Sequence, residues 1–314
     1  MGDATGGVRD IGIIGAGMAG LSAAIWAHRI GLRAILFERA AQIGGQIRLI
    51  HGIIPDYPGL RAEPTELIRN LNEQIAMIGS DIRTGCNVRA IEPEGDSSPS
   101  GKIAIHLEEA SLHVRMVLMA TGLDRKIHPL DHGNFKNVYY SVGSHLSELR
   151  GKRLLIIGGG DGAFENVVRL AGSCRITVAF RADRPRARAQ YLSVADSHPD
   201  IRLLANTEAV QFRGEGSVES VLLKNQRSAE MMVEGFDAVI VKIGFAPQSG
   251  ILKGLCDLDS AGYVLTDAFQ RTNHPRIWGA GDLCNPHSPS LITAAGQACV
   301  AVKSMERTLR GVNS

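Results

Sequence analysis

One glycine turn occurs twice in this chain, each time between a strand-like run and a helix-like run, and this repeat restricts the fold more than any other feature. Gly15-Ala16-Gly17-Met18-Ala19-Gly20 follows the run Asp10 to Ile14 and opens a helical stretch from Ala19 to Ile30. Gly31 stops that stretch, and Ala34-Ile35-Leu36-Phe37 then ends on the acid Glu38. Further on, Gly158-Gly159-Gly160-Asp161-Gly162-Ala163 follows Arg153 to Ile157 and opens a helical stretch from Gly162 to Leu170. The next run, Ile176 to Phe180, ends on Arg181. Glu38 stands 23 positions after Gly15, and Arg181 stands 23 positions after Gly158. A glycine pattern is weak alone, but strand, turn, helix and strand within about thirty residues give it meaning. The first glycine makes the tight turn, and the second lets backbone N–H groups reach a pyrophosphate. The third position, Gly20 in one copy and Ala163 in the other, packs helix on strand. Each helix start adds partial positive charge for the phosphates.

The residue closing each second strand separates the two sites. A carboxylate there accepts hydrogen bonds from a ribose 2′-hydroxyl, whereas an arginine favours a 2′-phosphate. The chain therefore reads as holding two dinucleotides, FAD at the first fingerprint and NADPH, in preference to NADH, at the second. Gly15, Gly17, Gly20 and Glu38 hold the first; Gly158, Gly160, Asp161, Ala163, Arg181 and Arg186 hold the second. Arg181, Arg184, Arg186 and Arg188 form a basic run, and most such runs are solvated loops. Its place after the second fingerprint assigns Arg181 and Arg186 to a phosphate clamp, for which a planar guanidinium is suited. Arg184 and Arg188 stay open between the two readings.

A chain of 314 residues accommodates two domains. Its 36 glycines point to tight turns and close backbone approach to ligands. A net charge of +2 gives no support for nucleic-acid or membrane-surface binding. The five cysteines are odd in number and contain no CxxC, and no histidines fall at metal-ligand spacing, so no metal is expected. Free thiols fit an intracellular protein. The apolar stretch from Ile11 to Ala27 is broken by four glycines and is short for a membrane span. It lacks the flanks of a signal peptide, and Gly6 leaves the opening Met-Gly short of a myristoylation motif, so a cytoplasmic location is expected.

With both fingerprints placed, the chain resembles the thioredoxin-reductase-like group of two-dinucleotide flavoproteins over nearly its whole length. Gly44-Gly45-Gln46, Asp56-Tyr57-Pro58-Gly59, Ala120-Thr121-Gly122, Gly281-Asp282 and Thr293-Ala294-Ala295-Gly296 carry the resemblance. It implies an α/β fold of two Rossmann-like, three-layer domains. The FAD domain is made from residues 1–119 and 247–314, and the NAD(P) domain, 120–246, is inserted into it. It further implies FAD contacts from Gly45, Gln46, Thr121, Gly122, Gly281, Asp282 and Ala295, and a homodimer.

Three departures modify the reading. Where thioredoxin reductases carry a redox CxxC, about seventeen residues before the second fingerprint, this chain has Ser141-Val142-Gly143-Ser144. A serine forms neither a disulfide nor a thiolate, so dithiol relay through this site is excluded. The family's His-Arg-Arg-x-x-x-Arg becomes Phe180-Arg181-Ala182-Asp183-Arg184-Pro185-Arg186, losing the middle arginine. The Arg-Gln before the last helix becomes Pro289-Ser290. In lacking the CxxC the chain resembles the ferredoxin–NADP reductases built on the same scaffold, and that resemblance implies electron transfer from NADPH through flavin directly to ferredoxin or flavodoxin. The alternatives are a small-molecule acceptor such as a quinone, or a flavoprotein whose nucleotide site is degenerate. Cys284, two residues past the Gly-Asp motif, reads as a small buried hydrophobe in preference to a flavin neighbour.

Overall fold

The computed structural model describes residues 8–95 and 101–312 and divides the chain into two compact units, 1–124 with 246–314 and 125–245. The glycine-rich opening, Met1 to Gly7, lies outside the described residues. The first crossing between units falls five residues later than the sequence motif suggested, and the second one residue earlier. The delay has a visible cause: Thr121 Oγ1 donates to Gln248 O (2.8 Å) and Gln248 N donates to Gly122 O (3.0 Å), which keeps Ala120-Thr121-Gly122 within the enclosing unit.

The chain opens with β1 (Arg9–Ile14), α1 (Met18–Arg29), β2 (Ala34–Phe37), α2 (Pro64–Met77), β3 (Asp81–Arg83), β4 (Ala90–Glu94), β5 (Lys102–His106) and β6 (Ser111–Met119). The short strand β7 (Leu123–Arg125) leads into the inserted unit. There follow β8 (Val138–Tyr139), α3 (Leu146–Leu149), β9 (Arg153–Ile157), α4 (Asp161–Leu170), β10 (Arg175–Ala179), α5 (Ala189–Ser197), β11 (Ile201–Leu204), β12 (Thr207–Arg213), β13 (Ser220–Asn225), β14 (Met231–Gly235) and β15 (Ala238–Val241). The chain returns through β16 (Phe245–Pro247) and closes with β17 (Ile277–Gly279) and α6 (Leu291–Leu309).

In the enclosing unit the sheet order is β3-β2-β1-β6-β5-β4, with β17 also paired to β6. Strands β3, β2, β1, β6 and β17 run parallel; β4 and β5 are an antiparallel extension. Both faces of the parallel part are buried, as such sheets require. Ile11, Ile13, Leu36, Leu118 and Trp278 face α1 and α6, whereas Ile14, Ile35, Phe37, Val117 and Ile277 meet Leu252, Val264 and Leu283. Trp278 Nε1 and Arg271 Nε both donate to Ser304 Oγ (3.1 Å each), fastening the returning segment to α6.

The inserted unit has the parallel order β11-β10-β9-β15-β8. One face, Leu154, Ile156, Val178 and Ile240, packs on Phe164 and Val167 of α4. The other, Leu155, Ile157, Val239 and Val241, packs on Phe212, Val221 and Leu223 of the antiparallel sheet β12-β13-β14. Each unit is thus an α/β layered fold built around a parallel sheet whose order reverses next to the strand before its glycine turn, β1 in one and β9 in the other.

Candidate cofactor sites

The first site lies at the carboxyl end of β1, where the neighbouring strands β2 and β6 diverge in chain order. A crevice at such a switch point is where open α/β sheets bind ligands. Gly15 has φ +106°, and a Cβ on it would overlap the carbonyl oxygen of Ala120. A Cβ on Gly20 would overlap the carbonyl oxygen of Gly15, so α1 leaves the turn at backbone contact. Gly17 differs: no atom lies within 4 Å of its Cβ position. It is also the N-cap of α1, and no side chain caps that end. By contrast α6 is capped by Ser290, whose Oγ accepts from Thr293 N (3.2 Å). That bond accounts for the Pro289-Ser290 departure as a helix start.

Glu38 is buried and held by backbone: Oε2 accepts from Ala16 N and Oε1 from Ala40 N, both at 2.8 Å. Each oxygen keeps a lone pair for a ribose hydroxyl. Gly44 N donates to Ala16 O (2.8 Å), and Gly45, at φ +48°, sits with its Cβ position 3.1 Å from Gly17 Cα. Gln46 Nε2 donates to Asp282 Oδ2 (3.2 Å). Burial raises the Asp282 carboxyl above its ordinary range, and the Gln46 hydrogen bond opposes that shift. Gly281, at φ +79°, accommodates Ala19 with its Cβ position 3.0 Å from that methyl, and its N–H donates to Gln297 Oε1 (2.9 Å). Gly122, at φ +64°, borders Gln46 Nε2. Gly15, Gly17, Gly20, Glu38, Gly45, Gln46, Gly122, Gly281 and Asp282 therefore converge. Thr121 has its hydroxyl proton committed to Gln248 O, and Ala295 lies half-buried in the first turns of α6. An uncapped helix start over open space, a fixed carboxylate and a half-buried second acid suit a pyrophosphate with ribose and ribityl hydroxyls. The residues fit FAD.

The second site repeats this at the end of β9. Gly158 has φ +142°, with its Cβ position overlapping the carbonyl oxygen of Lys242. Gly160 is the uncapped N-cap of α4 and faces open space. Ala163 is buried against Phe164 and Val167. Arg186 N donates to Gly159 O, folding the arginine loop back on the turn (2.6 Å). Arg181 and Arg186 are exposed and make no side-chain hydrogen bond or ion pair with another described residue. Arg188 is instead committed: its N and Nε donate to Asp161 Oδ1 and Oδ2, both at 2.8 Å, and its guanidinium lies over Tyr191. Of the two arginines left open by sequence, Arg188 is thus spoken for by Asp161. Arg184 is exposed and has no assigned partner. The residues fit a phosphorylated dinucleotide, with Arg181 and Arg186 free to meet a 2′-phosphate.

Ser141 follows β8 and is half-buried; Ser144 lies in the one-turn helix Gly143–His145. His145 Nδ1 faces Glu148 Oε2 (3.3 Å), and its ring lies against Tyr139. Cys284 belongs to the apolar cluster on the sheet face away from α1 and α6, and burial beside Cys256 pushes its thiol up to about 12. It is a packing residue. Sequence reasoning missed Lys242 and the Gln46–Asp282 bond. The first had a signal, since Lys242-Ile243-Gly244 stands in the second copy where Ala120-Thr121-Gly122 stands in the first.

Two glycine-turn sites, each at the switch point of its own sheet, define an FAD- and NAD(P)-dependent oxidoreductase. The comparisons agree. Residues 9–299 match the pyridine nucleotide-disulphide oxidoreductase family, and the chain belongs to it. It is 29% identical over 313 residues to a thioredoxin reductase of Peptoclostridium acidaminophilum, covering 96% of each chain. It is 28% identical to a 34.2 kDa protein in the rubredoxin operon of Clostridium pasteurianum, covering 96% of this chain and 97% of that one. The crystal structure of Lactococcus lactis thioredoxin reductase is similar with a TM-score of 0.86 at 26% identity, covering 96% of this chain and 99% of that one. FAD and NADPH are the cofactors this relationship brings. Among the described residues no group is suited to a metal ion, and no helix is long and apolar enough to cross a membrane.

Proposed function

We propose that this protein passes electrons from NADPH through FAD directly to an electron-transfer protein of ferredoxin or flavodoxin type, without a protein dithiol. The observation that carries this is the cysteine inventory. The inserted unit has one cysteine, Cys174, which is buried with Sγ donating to Leu149 O (3.0 Å), and Ser141 and Ser144 stand where the relay sulfurs would be. No pair of thiols exists there to oxidise. The relative encoded in a rubredoxin operon supports an electron-carrying protein as acceptor. The five free thiols favour a cytoplasmic location, and resemblance favours a homodimer.

Bound FAD supplies the hydride acceptance from nicotinamide and the onward release of electrons. The chain supplies position and charge. The start of α1 holds the pyrophosphate, Glu38 orients the adenosine ribose, and Asp282 takes the ribityl side. In the inserted unit Arg181 and Arg186 grip the 2′-phosphate through charge-assisted hydrogen bonds.

The test is anaerobic titration of the yellow protein with NADPH, followed by assay with ferredoxin, flavodoxin and thioredoxin in turn. Bleaching by NADPH and reoxidation by ferredoxin or flavodoxin is the expected result; turnover with thioredoxin alone would sink the reading. A second reading, a small-molecule acceptor such as a quinone or a donor other than NADPH, draws on Ala182 replacing an arginine and on Asp183 being paired to Arg227 at 3.1 Å. Failure of both NADPH and NADH to bleach the flavin would select another donor, and reoxidation by a quinone but by none of the three proteins would select the small-molecule acceptor.

A further inference from the structure

The two units share one plan, and aligning their switch points isolates Lys242. Ala120 N donates to Ile14 O and Lys242 N donates to Ile157 O, both at 2.8 Å. The first fingerprint glycine of each unit abuts the carbonyl of that same residue. Two residues later both units have a left-handed glycine, Gly122 at φ +64° and Gly244 at φ +92°. The residue closing the crossover strand is therefore a methyl in the enclosing unit and an ammonium in the inserted one.

Lys242 is half-buried and its Nζ donates to Tyr140 O at 2.8 Å. An ammonium carries three donors, and no second acceptor is assigned to this one among the described residues. Burial, Arg125 and Arg169 push its proton affinity below that of an ordinary lysine, and only Glu165 opposes them.

The path of a dinucleotide over this sheet follows from strand order. Arg181, at the end of β10, marks the 2′-phosphate end, and the start of α4, after β9, marks the pyrophosphate. Since β9 lies between β10 and β15, a ligand that begins over β10 and crosses β9 continues over β15 and β8. Lys242 closes β15, and Tyr140 and Ser141 follow β8. On that path the nicotinamide half would reach Lys242.

We propose that Lys242 is a specificity-determining residue that makes the inserted unit prefer reduced over oxidised pyridine nucleotide. Its ammonium repels the cationic nicotinamide of the oxidised form and leaves the uncharged dihydronicotinamide alone. The phosphates attract it equally in both forms and cancel in the ratio of affinities. The inference rests on the reading of this unit as the NADPH site. Like charges within about 7 Å in a partly buried site change such a ratio by roughly tenfold or more.

The experiment is calorimetric titration of the oxidised, FAD-loaded protein with NADP+ and with its neutral, redox-inert tetrahydro analogue. The wild-type chain is expected to bind the neutral analogue about tenfold more tightly. Lys242→Met should bring the ratio close to one by improving NADP+ binding, and Lys242→Arg should keep it. Lys242→Gln, which retains a donor for Tyr140 O, reads the same ratio if the methionine variant fails to fold. An unchanged ratio in the uncharged variants, or an equal loss for both ligands, overturns the inference while the NADPH reading stands. Failure of the wild-type chain to bind either ligand overturns the NADPH reading itself.

Discussion

Gln46 and Asp282, 236 positions apart in sequence, are joined by one hydrogen bond that ties the two separated parts of the enclosing unit together beside the fingerprint. The acid is half-buried, and that partial burial raises its carboxyl above the usual range. The folded state therefore holds the Asp282 proton more tightly than the unfolded chain does. Below the unfolded value both states are protonated and there is no penalty. As pH rises through the raised folded value, stability is lost. Asp282→Asn in the FAD-free protein should flatten that decline, so that its melting temperature gains on the wild-type chain as pH rises, while FAD affinity falls. Melting curves across pH 3 to 8 check it; a variant as pH-sensitive as the wild-type chain would refute it.

Gly17 and Gly20 are both fingerprint glycines with different physical duties. Alanine at Gly20 would press on the Gly15 carbonyl, and Gly20→Ala should destabilise the fold by about 2–3 kcal/mol. Alanine at Gly17 meets open space, so Gly17→Ala should melt within about 2 °C of the wild-type protein without FAD. Its FAD affinity should nonetheless drop at least about tenfold, because the methyl stands where phosphate must approach. Fluorimetric FAD titration beside melting curves separates the two effects.

Arg181→Ala and Arg186→Ala should each weaken NADPH binding by about ten- to a hundredfold and leave NADH binding nearly unchanged, as loss of a hydrogen bond to a charged group predicts. Arg188→Ala should discriminate far less, since that side chain is already engaged by Asp161. Dissociation constants for both nucleotides decide this.

Thiol counting tests the absence of a relay. Denatured protein should release five reactive thiols before and after anaerobic reduction with NADPH. An enzyme working through a disulfide gains two on reduction. In the folded protein Cys174, Cys256 and Cys284, whose thiols burial pushes up, should be slow to react at pH 8.

Both glycine turns were legible because the backbone admits nothing else: Gly15 and Gly158 combine positive φ with a carbonyl where a side chain would be. Glu38 and Arg181 were legible by spacing. The sheet β12-β13-β14 was not, since Thr207 to Arg213 alternates buried and exposed residues over too short a run to name its partner. Arg188 was undecidable because its acid, Asp161, is 27 positions away. Lys242 had a signal in the repeat, since Lys242-Ile243-Gly244 stands where Ala120-Thr121-Gly122 does, but its proximity to Tyr140 O, 102 positions away, shows only in the fold.

The inserted unit is one unbroken stretch, whereas the enclosing unit needs β17 and α6 from the far end of the chain. On the ribosome the inserted unit is therefore complete first. The first fingerprint, although synthesised earlier, waits with α1 uncovered until Asp282 and α6 emerge. Flavin capture, which needs Asp282, would thus follow completion of the inserted unit, and a chain cut short after β16 would leave the α6-facing side of α1 uncovered.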